Sequence, residues 1–208
     1  MKHLFIYILL FLNASIQAQS DYKAVDDIDA FNEKISAISK STETLQCDFT
    51  QEKSLSFLDK KMISSGSLYF SSDEKLRWEY TSPYNYAILM ANDQLVIIDE
   101  GEVNQTKMGN NPAVKNVQAM LTNTLKGDFS SQVDMFDQRV EESDDHYRIT
   151  LVPKESAMKE FVSELQVYFT KQDFMASKFI MNENGDMTIT EFSNQKINAS
   201  LPDNIFEF

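Results

Sequence analysis

The sequence predicts one mainly antiparallel β domain with two or three helices. Short segments in which apolar and polar residues alternate follow one another through most of the chain, and this period of two indicates half-buried strands. Two other segments have apolar residues at spacings of three and four, which is typical of helices. We identify no linker, low-complexity tract or internal repeat that would divide the chain.

The first eighteen residues have the pattern of a secretory signal peptide. Lys2 and His3 precede an apolar run over residues 4–12, and Ala18 is a plausible last residue before cleavage. The run is too short to span a bilayer comfortably. No cysteine stands directly after it, where a lipid would be attached, so we expect an exported chain without a lipid anchor, in which residues 19–208 form the single domain.

The first helix is predicted over residues 27–40. Its apolar residues recur at spacings of three, four and three, and Asp26 or Asp27 suits its N-cap. These apolar residues are Ile28, Phe31, Ile35 and Ile38. The helix therefore has one apolar stripe.

The helix leads into a strand in which Leu45, Cys47 and Phe49 alternate with polar residues. Cys47 is the only cysteine of the chain, so an exported protein would hold no internal disulfide. Its place between two apolar residues favours a small buried side chain over a reactive thiol.

A hairpin predicted over residues 66–83 is the central feature of the chain. Its two alternating runs are separated by the polar residues 71–74 and are expected to pair antiparallel. The apolar face of the hairpin would carry Leu68, Phe70, Leu76, Trp78 and Tyr80. This aromatic wall is either the core of a packed barrel or the wall of a cavity. Composition alone favours the core, because aromatic and Met-rich strands more often serve packing.

Further strands and a second helix are predicted after the hairpin. The strands cover residues 86–91, 94–99, 102–108, 133–140, 147–151, 161–169, 174–181 and 187–192. The second helix begins at Pro112 and ends before Gly127, which suits the positions that proline and glycine prefer at helix ends. Its apolar residues are Val114, Val117, Leu121 and Leu125.

The charge balance argues against a nucleic-acid partner. There are 19 basic and 32 acidic residues, which gives a formal net charge of −13. Such a balance repels nucleic acid and anionic lipid headgroups, and it favours a monomer.

Motifs of catalytic or metal chemistry are not found. His146 is the one histidine outside the predicted signal peptide, and without a companion histidine or cysteine it argues against a zinc site. Residues 182–186 have only a faint likeness to a calcium loop, because the later bidentate glutamate is missing. Nucleotide-binding and hydrolase motifs are absent as well. We therefore predict no catalytic residues, no metal and no cofactor.

Several short motifs, taken in order, resemble the outer-membrane lipoprotein carrier protein family (LolA). They are Phe49-Thr50-Gln51, Gly66-Ser67-Leu68-Tyr69-Phe70, Leu76-Arg77-Trp78-Glu79-Tyr80, Leu151-Val152-Pro153-Lys154, Asn184-Gly185-Asp186-Met187-Thr188-Ile189 and Phe206-Glu207-Phe208. Their order and spacing carry the resemblance, which covers nearly all of the chain after the predicted signal peptide. The resemblance implies an incompletely closed antiparallel β-barrel, a half-barrel whose hydrophobic concave face is covered by a lid of helices.

The resemblance also implies a function. It implies a periplasmic carrier that accepts acylated lipoproteins from an inner-membrane ABC-type exporter, shields their acyl chains and passes them to an outer-membrane acceptor, without a cofactor. The residues then expected on the acyl-binding face are Phe49, Leu68, Phe70, Leu76, Trp78, Tyr80, Ile88 and Met90. The two helical stripes would form the underside of the lid, although each could equally be an ordinary helix-on-sheet contact.

One departure sets a limit on this interpretation. In the well-known proteobacterial carriers of the family, the resemblance implies an arginine just after the first central strand that latches the lid, and Ser72 stands at that position here. Arg77 is expected to face away from the apolar wall. Two other functions stay open, namely a carrier or sensor of another lipid or glycolipid, and a small exported hydrolase with converging carboxylates. The carrier hypothesis expects the aromatic side of the sheet to be left unfilled by the protein's own side chains.

Overall fold

The computed structural model describes residues 22–109, 112–129, 132–160 and 162–207. Within these ranges the chain forms one antiparallel sheet and three helices. The helices are α1 (Ile28–Ser41), α2 (Pro112–Lys126) and α3 (Ser156–Lys159). The strands are β1 (Lys23–Ala24), β2 (Thr44–Ser54), β3 (Met62–Ser71), β4 (Lys75–Ser82), β5 (Tyr86–Ala91), β6 (Gln94–Asp99), β7 (Glu102–Lys107), β8 (Phe136–Glu142), β9 (His146–Pro153), β10 (Glu164–Thr170), β11 (Ala176–Glu183) and β12 (Asp186–Ile197). The predicted signal peptide lies outside the described residues.

The sheet is open rather than a closed barrel. Its strand order is β1-β8-β9-β10-β11-β12-β2-β3-β4-β5-β6-β7, and each neighbouring pair is antiparallel. The two end strands, β1 and β7, do not pair with each other. The predicted fold class, a mainly β half-barrel with helices, is confirmed.

Most predicted elements are present, with shifted ends. The strand predicted from residue 133 begins at Phe136, because the preceding residues form a turn that Met135 N–H closes on the carbonyl of Gln132. The strand predicted from residue 174 begins at Ala176, because Phe174 has a φ of 59° in a turn. The strand predicted over 161–169 is β10, and residue 161 lies outside the described part. Strand β1 and helix α3 were not predicted.

The two faces of the sheet have different partners. We call the face that contacts α1 and α2 the inner face, and the opposite one the outer face. The main core lies between the inner face and these two helices. A smaller core on the outer face joins Leu89 and Val96 to Phe206, so the C-terminal segment covers the back of β5 and β6.

Helix α1 is tied to the sheet at both ends. Just before its start, Asp26 N–H donates to Glu142 Oε1 of β8 at 3.2 Å, and the Asp27 carboxylate caps the helix by accepting from Ala30 N–H at 2.9 Å. At its end, Asn198 donates from Nδ2 to the carbonyl of Ser41 at 2.8 Å, and its Oδ1 accepts from Glu43 N–H at 2.7 Å. Because both ends are tied, any movement of α1 away from the sheet has to bend these connections.

Among the helices within the described ranges, none combines the length and the apolar composition that crossing a membrane requires.

Candidate functional site

The predicted wall residues form one continuous surface on the inner face. The strand register places them in three adjacent rows across β2 to β5. The rows are Phe49-Gly66-Tyr80, then Leu68-Trp78-Ile88, then Phe70-Leu76-Met90. The alternation read from the sequence therefore assigned these side chains to the correct face.

The wall has two environments. Leu68, Phe70 and Leu76 are at most 1% exposed, since they lie in one cluster with Phe31 and Ile35 of α1. Trp78, Tyr80 and Ile88 are half-buried. The expectation that this side of the sheet is left unfilled is therefore wrong for the half beneath the helices, where helix side chains occupy it.

The lid, by which we mean α1 and α2, contacts the wall through only part of the predicted stripes. Phe31, Ile35 and Leu125 are buried, and Ile38 and Leu121 are half-buried against the same cluster. Ile28, the first residue of α1, is 43% exposed and is not part of this cluster, so its place on the underside stays a prediction. The side chains of Val114 and Val117 lie outside the described part of the chain.

An aromatic belt crosses the other half of the wall, where Trp78 and Tyr80 are half-buried and Phe49 is 2% exposed. The ring of Phe49 lies 5.1 Å from the rings of both Trp78 and Tyr80, measured between centroids. Gly66 lies between Phe49 and Tyr80 in the register, and a β-carbon there would stand 1.8 Å from the carbonyl oxygen of Glu79. The two rings therefore meet above a position that can hold no side chain.

The belt continues onto strands that come from the far end of the sequence. Phe192 of β12 lies 6.2 Å from Trp78, and Phe179 of β11 lies 4.8 Å from Phe192. Sequence analysis left these two rings out of the site. Both strands were predicted, but only the pairing of β12 with β2 shows that their rings join the belt.

A polar strip borders the belt on the inner face. The Tyr80 hydroxyl donates to Gln51 Oε1 at 3.1 Å, and Gln51 Nε2 donates to Thr190 Oγ1 at 3.0 Å. The pKa of Tyr80 is raised, because the effect of burial outweighs the opposing effects of the hydrogen bond to Gln51 and of the nearby indole N–H of Trp78. Two buried polar atoms at the ends of this strip, Trp78 Nε1 and Thr188 Oγ1, have no hydrogen-bond partner within the described ranges.

Beyond the strip, the inner face ends at a charged and exposed rim. Lys53 of β2 and Glu183 of β11 form an ion pair of 2.9 Å there. The adjoining β2–β3 turn carries Phe57, which is 76% exposed, and Leu58, which is 47% exposed. The turn is fixed to the neighbouring β11–β12 turn, because Ser56 N–H donates to the Asp186 carboxylate at 2.8 Å.

Comparison with known proteins identifies the family. The family model described as outer membrane lipoprotein carrier protein LolA matches residues 40–208. The chain belongs to the LolA family. The matched residues include β2 to β12, and hence the whole wall, whereas nearly all of α1 precedes them. The resemblance read from the motifs is confirmed.

Individual relatives are distant. The outer-membrane lipoprotein carrier protein of Methylococcus capsulatus is 29% identical over 175 residues, which cover 81% of this chain and 78% of the relative. Among solved structures, an uncharacterized conserved protein from Thermus thermophilus has a TM-score of 0.51 at 10% identity, covering 86% of this chain and 93% of that one. A putative outer membrane lipoprotein-sorting protein domain from Vibrio parahaemolyticus has a TM-score of 0.47 at 10% identity, with coverages of 86% and 95%. At such identity the Thermus structure supports the fold alone.

Ser72 stands where the resemblance implies an arginine that latches the lid. Ser72 contributes its backbone N–H, which donates to the carbonyl of Glu43 at 2.7 Å. The lid is tied to the same turn from the other side, because Gln118 Nε2 of α2 donates to the carbonyl of Glu74 at 2.9 Å. Arg77 lies on the outer face, as predicted, with its Nη2 2.9 Å from Glu79 Oε1.

Cys47 lies on the inner face beneath the lid and is 2% exposed. Burial away from water, with a smaller effect from the Asp48 carboxylate, raises the pKa of its thiol to about 12. Since the thiolate is the nucleophilic form, the closed lid keeps Cys47 unreactive. The prediction of a small buried side chain is confirmed. In the part of the chain that the structure describes, no group of three or more His, Cys, Asp or Glu residues could hold a metal ion.

Proposed function

We propose that this LolA-family protein carries acylated lipoproteins across the periplasm, from the inner membrane towards the outer membrane. The observation that carries the proposal is the aromatic belt, an apolar surface that continues from half-buried rings into a zone covered by two helices. The family of lipoprotein carriers supports the class of cargo.

The size of the apolar wall suits this cargo. A chain of about fifteen methylenes gains roughly 12 kcal/mol on leaving water, at ~0.8 kcal/mol per CH₂. A carrier has to supply apolar area on that scale and also has to release the chain. Three rows of large apolar side chains across β2 to β5, extended by Phe179 and Phe192, supply such an area.

Uptake would exchange the lid's side chains for the acyl chains. Phe31, Ile35 and Leu125 cover the deep half of the wall in the closed form. Because an acyl chain is as apolar as these side chains, the wall buries about the same apolar area whichever of the two covers it. The free-energy change of the exchange is then small. An exporter or acceptor that binds one state of the lid slightly better would therefore set the direction of lipid transfer. This role needs no covalent chemistry, so we propose a carrier rather than an enzyme.

The proposal is tested by a release assay. Inner-membrane vesicles that contain a newly made lipoprotein and its ABC-type exporter are incubated with this protein and ATP. We expect a soluble one-to-one complex of lipoprotein and carrier. Trp78→Glu should abolish the complex, because it places a charge within the aromatic belt.

A matched control is Tyr69→Glu, which changes a half-buried aromatic residue on the outer face of the neighbouring strand. This variant should still form the complex. The absence of a complex with the unaltered protein, or equal loss in both variants, would contradict the proposal. Mass spectrometry of lipids that co-purify with the protein separates this cargo from a glycolipid or a free lipid.

A further inference from the structure

The inner face changes in polarity from the lid towards the β2–β3 turn. Beneath the lid the wall is aliphatic and aromatic, with Cys47 and Leu68 fully covered. The aromatic belt follows, then the polar strip, and then the ion pair of Lys53 and Glu183 at the rim. The same order of polarity runs along an acylated glyceryl group, from the hydrocarbon tails through the ester carbonyls to a water-exposed polypeptide.

The polar strip offers donors that its own residues do not use. Thr188 is 5% exposed, it shares the inner face with Thr190 and Phe192, and its hydroxyl has no partner within the described residues. The indole N–H of Trp78 is also buried; the Tyr80 hydroxyl is nearby, but the N–H makes no hydrogen bond within the described residues. Thr190 accepts its bond from Gln51 through oxygen, and a hydroxyl that accepts can still donate its own proton. A buried donor without an acceptor is unfavourable, so each of these atoms gains from a ligand that brings one.

We propose that the polar strip binds the ester carbonyls of the cargo's diacylglyceryl group. An ester carbonyl accepts hydrogen bonds and donates none. This matches the strip, whose unused groups can all donate a hydrogen bond. The inference rests on the proposed function, because it takes acyl chains as the ligand of the adjoining belt. It adds an orientation, in which the tails lie beneath the lid and the polypeptide leaves over the rim at Lys53 and Glu183.

The test compares two lipids that differ only in their carbonyls. Dipalmitoylglycerol carries ester carbonyls, and dihexadecylglycerol has ether oxygens in their place. Each lipid is used to displace a fluorescent fatty acid from the full-length protein. The unaltered protein should prefer the ester by about three- to tenfold for each hydrogen bond that is gained. Thr188→Val keeps the shape and removes the hydroxyl, so it should lower this preference with little loss of affinity for the ether.

Thr150→Val is the matched control. Thr150 is 3% exposed and its hydroxyl is also without a partner among the described residues, but it lies on the outer face of β9, opposite to Ile149 and Leu151. This variant should keep the full preference for the ester. Equal affinity of the unaltered protein for both lipids overturns the inference and leaves acyl binding standing. Equal loss in both variants overturns the assignment to the polar strip, and failure to bind either lipid overturns the proposed function together with it.

Discussion

Gly127, which follows the last residue of α2, meets Ile35 of α1 with no room for a β-carbon between them. A β-carbon on Gly127 would lie 2.8 Å from Ile35 Cγ1 and 2.9 Å from Ile35 Cδ1, and Gly127 has a φ of +78°. The two helices of the lid therefore contact each other closely because position 127 has no side chain.

Gly127→Ala should weaken the closed lid. The positive φ alone costs an alanine about 1 kcal/mol, and the new methyl group has to displace Ile35 from the wall. Cys47, which lies beneath the lid, should then react faster with a thiol reagent at neutral pH.

Gly101→Ala is the control for this change. Gly101 has a φ of +91°, but no atom lies within 4 Å of the β-carbon it would acquire. The control should lose a similar amount of stability from its backbone and leave the reactivity of Cys47 unchanged. If both variants raised that reactivity equally, the contact with Ile35 would not be what holds the lid closed.

The stability of the protein should fall at alkaline pH because of Cys47. The folded protein holds the thiol proton up to a pKa of about 12, whereas an exposed thiol has a pKa of 9.0. Between these values the unfolded chain loses a proton that the folded chain keeps. The free energy of unfolding therefore decreases as pH rises, by up to about 1.4 kcal/mol per pH unit.

Urea unfolding at pH 8 and at pH 10 measures this effect in the unaltered protein and in Cys47→Ala. Burial also raises the pKa values of Tyr80 and Tyr168, and these groups act in the same direction at higher pH. The difference between the two proteins isolates the thiol. An identical pH dependence in both would show that Cys47 is not shielded from water in the folded state.

Loss of the Gln118 side-chain amide should make the lid open more easily. Its hydrogen bond to the carbonyl of Glu74 joins α2 to the β3–β4 turn. The bond borders a cavity of about 520 Å³ lined by polar residues such as Asp73 and Thr122, so water competes with it and its net contribution is about 1 kcal/mol or less.

Gln118→Leu should therefore speed the uptake of a fluorescent fatty acid, with only a small change in the urea midpoint. Gln105→Leu, at an exposed position of the edge strand β7, is the matched control and should leave uptake unchanged. Uptake that is unaltered in Gln118→Leu would show that this contact does not restrain α2.

The exposed apolar residues of the β2–β3 turn should assist transfer of lipid. Phe57 and Leu58 stand beside the half of the wall that the lid leaves half-buried. The double variant Phe57→Ser and Leu58→Ser should change stability by less than about 0.5 kcal/mol, because both side chains already contact water. It should slow the uptake of acyl chains from detergent micelles in a stopped-flow assay.

Val103→Ser provides the comparison for this turn. Val103 is 51% exposed on the edge strand β7, four strands away from β3. Slower uptake in this variant as well would mean that exposed apolar area in general, rather than the β2–β3 turn, governs transfer.

Local patterns in the sequence predicted the wall but not its surroundings. Alternation along β3 and β4 places Leu68, Trp78 and Tyr80 on one face, since a side-chain period of two leaves no other choice once the strands pair. Whether those side chains are covered depends on where α1 and α2 dock, which is a tertiary contact. Ile28 shows the limit of helical periodicity, because a residue with the correct spacing at the first turn can still be exposed.

The polar strip could not be predicted from the sequence, for a related reason. Gln51 and Thr190 are 139 positions apart, and only the pairing of β2 with β12 brings them together. Alternation along a strand puts Thr188 and Thr190 on one face, but nothing local distinguishes a threonine that could bind a ligand from an ordinary core threonine. A buried hydroxyl without a partner is visible only once its neighbours in space are known.

The pairing of β2 with β12 also has a consequence for the order of events during synthesis. Glu43, just before β2, is bonded to Asn198, which follows 155 positions later. Contacts of such separation form late, because closing a long loop is entropically unfavourable until most other contacts are made. The ribosome has therefore made nearly the whole polypeptide before β2 gains its second neighbour, so a half-finished chain has an incomplete sheet and stays open to chaperones.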